Sequence, residues 1–247
     1  MVTARGLRLS TGLVLFGYIA LHLVNHALGL VSVALAECGL EWTLAVWHSV
    51  PGTLLLYGAA GVHVALAFDA IYSRRTLHAA PLDLVRILLG LGIPTLLIGH
   101  IATTRLSWEM YGQSSHYSRV VWSLWMTNGQ GRQLALLVPG WAHGCLGLHL
   151  AFAARPLYCR LRRALWSAAL LLPVLGALGF IAMGKELEGG HANRARLDAS
   201  LVLHEGAGAS LAEARDALLA VYVSACLGVF AARGVRTISE RRSRLEE

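Results

Sequence analysis

The stretch YIALHLVNHALG, residues 18–29, lies inside an apolar run that covers about residues 9–36. About 20 apolar residues are enough to cross a bilayer as a helix. His22 and His26 are four residues apart and therefore share one face of that helix. An ionisable ring at membrane depth is costly and usually marks a functional site. Later apolar runs also carry deep histidines, namely His63, His100, His143 and His149.

The composition indicates an integral membrane protein. Only 14% of the 247 residues are charged, whereas soluble domains have about 25%, and the mean hydropathy is +0.57. The net charge of +7 does not indicate nucleic-acid binding, because the arginines cluster at the ends of apolar runs. The four cysteines form no CxxC motif, so the sequence favours neither a disulfide framework nor a zinc site.

Six membrane-spanning helices are predicted, each about 19–25 residues long. They cover about residues 10–34, 48–72, 84–106, 131–154, 164–183 and 214–232. Fourteen of the 21 basic residues fall in the segments on the same side as the N-terminus. Since cytoplasmic segments are enriched in Lys and Arg, both termini are expected in the cytoplasm.

This all-α chain is expected to have four parts. They are a cytoplasmic N-terminus (1–9), an up-down four-helix bundle (10–155), two further helices (156–232) and a cytoplasmic linker (233–247). Three outer loops are expected, at 35–47, 107–130 and 184–213. The first two carry tryptophans that suit the headgroup level, and the third is expected to hold a short helix near Ser210.

Counting from arginines at the helix ends indicates which histidines are at equal depth. His22 follows Arg8 by fourteen residues, and His100 follows Arg86 by fourteen. Predicted helices 1 and 3 are diagonal partners in an up-down bundle. At about 1.5 Å per residue the two rings are therefore expected to be level across the bundle core.

The same count applies to predicted helices 2 and 4. His63 precedes Arg74 by eleven residues and His143 precedes Arg155 by twelve, so the two rings of this pair are expected to be level to roughly 2 Å. The same counts place this pair only a few ångströms nearer the cytoplasm than the pair of His22 and His100. Two facing imidazoles can be the axial ligands of a haem iron. We therefore predict two bis-histidine haem sites. Small residues give room for a macrocycle or for close helix packing: Gly58, Ala59, Ala60, Gly61, Gly140, Gly144 and Gly147.

Other roles stay open for the polar residues. A lone membrane histidine can instead cap a carbonyl or line a cavity, and His26 competes with His22 as the ligand from helix 1. His149 either contacts a haem propionate or quinone, or lies in the interface. Arg105 either snorkels to headgroups or grips a propionate. The remaining histidines are expected to be solvated, namely His48, His78, His116, His191 and His204.

These motifs resemble two families of membrane anchor. HLVN (22–25), His63, HIATTR (100–105) and His143 resemble the dihaem cytochrome b anchor of succinate:quinone oxidoreductases over residues 8–155. A closer likeness, over nearly the whole chain, is to the six-helix anchor of bacterial class III adenylate cyclases. It is carried by HLVNHALGLVS (22–32), PGTLLLYG (51–58), HGCLGLH (143–149) and AARGVR (231–236).

The resemblance implies a function. In the cyclase family a ferredoxin-like [2Fe–2S] domain and then a cyclase domain follow the anchor; this chain has neither the cysteine-rich loop nor the cyclase aspartates. The expected protein is a haem b-binding, redox-sensing anchor in the bacterial inner membrane. It would regulate a fused or separate cyclase as a homodimer, with two haems and a quinone. The alternative is a succinate dehydrogenase-like subunit that passes electrons between quinone and an iron–sulfur protein. A haem-free scaffold is a third possibility, and no catalytic residue is predicted.

Overall fold

The computed structural model describes residues 3–74, 80–190, 194–202 and 206–246, and every regular element in these ranges is helical. His78, His191 and His204, expected to be solvated, lie outside the described residues. The helices are α1 (Ala4–Leu28), α2 (Val33–Trp47), α3 (Val50–Ser73), α4 (Pro81–Ile101), α5 (Ser107–Tyr111), α6 (Tyr117–Met126), α7 (Gln130–Phe152), α8 (Pro156–Gly189), α9 (Arg194–Ser200) and α10 (Ala207–Glu246). A π-helical stretch, Ala102–Leu106, joins α4 to α5.

Six helical segments have the length and apolar composition needed to cross a bilayer, which confirms the predicted number. They are α1, α3, the continuous Pro81–Tyr111 segment, α7, α8 and α10. Large apolar side chains cover the outside of the bundle: Leu54, Leu170 and Leu227 are 69%, 66% and 66% exposed. Such an apolar exterior suits lipid acyl chains, and the chain is a multi-pass membrane protein.

The fifth and sixth membrane helices are longer than predicted. The predicted fifth span, 164–183, lies within α8, and the predicted sixth, 214–232, lies within α10. Residues 156–163, which lie between the predicted fourth and fifth spans, form the start of α8, because Pro156 suits a first helical turn and arginine is a good helix former. The short helix expected near Ser210 is the first part of α10, and the separate short helix is α9.

Two expected outer loops contain helices that cover one end of the bundle, which we call the loop end. The Ser32 hydroxyl accepts from the Leu35 N–H at 3.1 Å and so caps α2. The Glu37 carboxylate accepts from the N–H of Ser118 at 2.8 Å in the first turn of α6. Both helices pack on α8 in the most buried apolar cluster, which contains Val33, Ala36, Leu40, Tyr117, Val121, Phe180 and Met183.

The opposite end of the bundle, the basic end, brings the end of α3 to the start of α4 and the second half of α10. Arg74 pairs with Asp83 at 2.6 Å, and the Arg233 guanidinium donates to the carbonyl of Arg74 at 3.1 Å. Within the bundle α1 packs on α3 and α8, α4 packs on α7, and α10 lies against α3 and α4. The diagonal partners are α1 with α4 and α3 with α7, and a cavity separates them.

Candidate functional site

A large internal cavity occupies the centre of the bundle between α1, α3, α4 and α7. Its volume is about 1140 Å³, which exceeds the roughly 300–1,000 Å³ of ordinary small-molecule sites. The lining is mainly apolar, but four predicted ligand histidines face it, one from each helix: His22, His63, His100 and His143. The bundle is therefore built around space rather than around a packed apolar core.

The first predicted pair, His22 and His100, lies toward the loop end, and we call it the loop-end pair. The two ring centroids are 6.1 Å apart. His26, the competing ligand on α1, also lines the cavity, and its Nε2 lies 3.2 Å from Nε2 of His22. The ring of His26 also contacts Tyr117 and Phe180. His22 is thus the α1 histidine whose ring faces His100, and its Nε2 is in contact with His26.

The second predicted pair, His63 and His143, is the basic-end pair, and its ring centroids are 6.2 Å apart. Nδ1 of His63 lies 3.2 Å from the carbonyl oxygen of Arg8, and Nδ1 of His143 lies 2.8 Å from that of Arg86. A carbonyl only accepts, so each Nδ1 carries the proton and donates it. Each Nε2 therefore keeps its lone pair free for a metal, as in metal-bound histidines that donate their other ring N–H to a carbonyl.

The ring separations fit a single metal ion between each pair. Histidine nitrogens bind a first-row metal at about 2.0–2.1 Å, so an ion between two imidazoles would place their centroids roughly 6.3 Å apart. The observed 6.1 Å and 6.2 Å are close to this value. No group of three or more His, Cys, Asp or Glu side chains is arranged to hold a metal in the described part of the chain. This does not bear on a haem, whose porphyrin supplies the other ligands.

The two pairs lie at clearly different depths. On α1, the basic-end pair is level with Gly12, which faces the ring of His63. The loop-end pair is level with His22, which belongs to that pair. Ten residues of helix separate these levels by about 15 Å. The expected difference of only a few ångströms is wrong, because Arg8 and Arg74 are not at the same depth. His63 lies beside the Arg8 carbonyl, and α3 continues for eleven more residues before it reaches Arg74.

Two glycines that sequence reasoning missed make room for the basic-end rings. A Cβ at Gly12 would lie 3.2 Å from Cε1 of His63, and one at Gly90 would lie 2.5 Å from Cε1 of His143. The sequence carries a signal for both, since Arg-x₃-Gly-x₉-His occurs at Arg8–His22 and again at Arg86–His100. The α1 and α4 helices are therefore quasi-equivalent walls of the cavity.

The small residues expected to make room for a macrocycle divide into two groups. Gly140, Gly144 and Gly147 line the cavity, as does Ala60. Gly58 and Gly61 are exposed instead, and Ala59 is buried outside the lining. The expectation is therefore wrong for the glycines of α3, which lie on the side of the helix away from the cavity.

A side-chain amide supports the loop-end pair. Nε2 of Gln133 lies 3.1 Å from Nδ1 of His100. In this arrangement the amide N–H donates to Nδ1. A metal bound through Nε2 would require the amide to turn its carbonyl oxygen toward a protonated Nδ1. Sequence reasoning missed Gln133. Its signal is its spacing: it precedes His143 by ten residues, the same helical distance that separates the basic-end pair from the loop-end pair.

Arg105 also lines the cavity at the loop end, and its side chain is 14% exposed. The guanidinium forms an ion pair with Glu109 and donates to the Thr53 hydroxyl at 3.0 Å. It also lies over the ring of Trp108, 5.2 Å from the centroid. Arg105 is thus held at the cavity edge by Glu109, Thr53 and Trp108.

The other histidines lie away from the cavity centre. His149 is outside the cavity lining, and its Nδ1 lies 3.0 Å from the Tyr158 hydroxyl. His116 pairs with Glu37 at 3.0 Å. His48 sits at the cavity edge, where burial lowers its pKa and Arg105 lowers the pKa further. None of these three faces a second histidine across the bundle.

Comparisons with protein-family profiles, with curated proteins and with solved structures returned no match.

Proposed function

We propose that the chain is a dihaem b-type membrane anchor that senses the redox state of the membrane and regulates a class III adenylate cyclase. The observation that carries the proposal is the two histidine pairs, at 6.1 Å and 6.2 Å, across one large cavity. Haem supplies one-electron redox chemistry when bound. His22, His63, His100 and His143 would hold the two haems, and the mainly apolar lining of the cavity would surround them.

The distribution of charge supports the proposed orientation in the membrane. The basic end carries Arg8, Arg74, Arg86 and Arg233 close together, and cytoplasmic ends of membrane proteins are rich in arginine. In this proposal the basic end is cytoplasmic and the protein lies in a bacterial inner membrane. A cyclase or ferredoxin-like domain, fused or separate, then meets the anchor on the side of the basic-end pair.

α10 is the element best placed to carry a signal. Its 40 residues span about 60 Å, twice the roughly 30 Å of the hydrocarbon core. The Tyr222 hydroxyl donates to the carbonyl of Leu91 at 2.7 Å, one residue after Gly90 on α4. Tyr222, His63 and His143 line one small cavity of about 100 Å³. A shift at the basic-end pair therefore reaches α10 through direct contacts.

The alternative function is a cytochrome b subunit that exchanges electrons with quinone. One observation favours a quinone near the loop-end pair: Nδ1 of His26 is buried without a hydrogen-bond partner among the described residues. An imidazole N–H there would suit a quinone carbonyl, since unpaired buried polar groups are costly. Both functions need the same two haems, and they differ in whether the redox state changes cyclase output.

The test measures haem first and output second. Protein purified after expression with added haem should give two b haems per chain in a pyridine haemochrome assay. Absence of haem would refute both functions. The chain joined to its natural cytosolic partner is then placed in membranes with the quinone pool oxidised or reduced. Cyclic nucleotide output should differ between the two states and lose the difference in His63→Ala/His143→Ala; equal output with confirmed haem reduction would leave the electron-transfer subunit.

A further inference from the structure

The basic-end pair lies among more positive than negative charge. Arg8 and Arg86, whose carbonyls hold the two histidines, also line the large cavity with their side chains. Asp83 is shared: one oxygen pairs with Arg74 at 2.6 Å and the other with Arg86 at 2.6 Å. Arg8 has no carboxylate partner within the described ranges. Three guanidiniums thus face one carboxylate.

Both arginines keep unused donors inside the protein. Nε of Arg8 and Nε of Arg86 are buried and have no hydrogen-bond partner among the described residues. A buried donor without an acceptor is costly, and a buried charge without a partner is more so. An acceptor that is not part of these residues would remove both costs.

We propose that Arg8 and Arg86 form an anion-binding subsite that grips two carboxylates of the ligand held between His63 and His143. Under the proposed function, on which this inference rests, these are the two propionates of the basic-end haem. Arg8, Arg74 and Arg86 with Asp83 leave a net charge of +2, and Arg233 beside the Arg74 carbonyl adds one more positive charge. Two carboxylates would offset two of these charges. Guanidinium pairs with carboxylate through short, charge-assisted hydrogen bonds.

The position of the two arginines favours a ligand inside the bundle over a lipid phosphate, which offers the same anionic oxygens. Arg8, Arg86 and both histidines of the basic-end pair line one small cavity, so an anion held there lies beside the two rings. Arg8 and Arg86 are also equivalent in the Arg-x₃-Gly-x₉-His repeat. Two equivalent cations on facing walls match a ligand with two like anionic arms.

The test compares Arg8→Gln, Arg86→Gln and the double variant with Arg162→Gln, which removes an exposed arginine near the start of α8, outside the cavity. The readouts are haem content and the midpoint potential of each haem in a redox titration followed by absorbance. The basic-end haem is the one that His143→Ala lacks. Each cavity variant should lower the equilibrium constant for reduction of that haem about tenfold, which is about 59 mV for one electron.

The sign follows from charge, because a nearby cation disfavours the more positive oxidised haem and its removal lowers the potential. The double variant should shift further, while the loop-end haem and Arg162→Gln stay unchanged. Potentials equal to those of Arg162→Gln would overturn the subsite and assign the arginines to lipid phosphates. If Arg8→Gln loses the basic-end haem, Arg8→Lys is measured as well. Haem retained in Arg8→Lys supports the role of the positive charge, and haem lost in Arg8→Lys overturns that role. Wild-type protein without haem would refute the proposed function itself.

Discussion

The two histidine pairs are alike in ring separation but differ in how the rings are held. At the basic end both Nδ1 atoms donate to backbone carbonyls, and each ring fits against a glycine. At the loop end the Gln133 amide contacts His100, and Nε2 of His26 contacts Nε2 of His22. A backbone carbonyl in a helix keeps its position when the side chain of its residue moves. A side-chain partner such as Gln133 can instead rotate away from the ring. The basic-end site is thus the more rigid one, and the loop-end site is the more adjustable one.

Removal of single histidines should have the largest effect. His63→Ala and His143→Ala should each reduce haem from two to one per chain, with the same haem lost, because one imidazole cannot complete a bis-histidine site. His22→Ala and His100→Ala should lose the other haem. Haemochrome stoichiometry and the α-band spectrum measure this.

His26→Ala and His149→Ala are the controls and should retain both haems. His149 lies outside the cavity, so its removal leaves both pairs in place. If His26→Ala loses a haem while His22→Ala keeps it, then His26 is the α1 ligand, and the loop-end assignment is wrong.

The next largest effect should come from Gly90→Ala. The added Cβ would lie 2.5 Å from Cε1 of His143, so the ring must move away from the Arg86 carbonyl. We expect loss of at least half of the basic-end haem and normal content of the other. Gly92→Ala, two residues along α4, has no atom within 4 Å of its Cβ and should behave as wild type. Equal haem in both variants would show that the basic-end ring is not rigidly held.

The sequence predicted the six spans and the pairing of His22 with His100 and of His63 with His143. Apolar length, helical period and arginine-rich ends are local signals. The separation of about 15 Å between the two pairs could not be predicted, because arginines on antiparallel helices need not lie at the same depth. The carbonyls that orient His63 and His143 belong to the backbone and leave no trace in residue type. α2 and α6 were missed since their buried faces depend on packing against α8.

A smaller effect is expected from Gln133→Leu, which probes the adjustable site. Haem binding through Nε2 would require the amide to turn its carbonyl oxygen to Nδ1, and the hydrogen bond that Nδ1 then donates would raise the basicity of the ligand and favour the oxidised haem. Its loss should raise the loop-end potential by roughly 40 mV, the equivalent of about 1 kcal/mol for one electron. Gln130→Leu, one turn earlier and outside the cavity lining, is the control. A shift confined to the basic-end haem would contradict this assignment.

The smallest effect on the haems should come from Tyr222→Phe, which separates the basic-end site from α10. The substitution removes the 2.7 Å bond to the Leu91 carbonyl but keeps the ring stacked on Phe68. Haem content and potentials should be unchanged. The redox state can bias α10 only as far as it stabilises one arrangement over the other. Loss of one hydrogen bond, about 1 kcal/mol, should reduce that bias about fivefold.

The measurement is hydrogen exchange of the α10 backbone beyond Arg233 with the haems fully oxidised and fully reduced. Wild-type protein should show a redox-dependent difference in exchange, and Tyr222→Phe should show a much smaller one at equal haem occupancy. Tyr158→Phe is matched in chemistry, because its hydroxyl bonds His149 outside the cavity, and it should retain the wild-type difference. If Tyr222→Phe also retains it, the signal leaves the basic-end pair by another contact, and the α3 face of α10 becomes the next place to test.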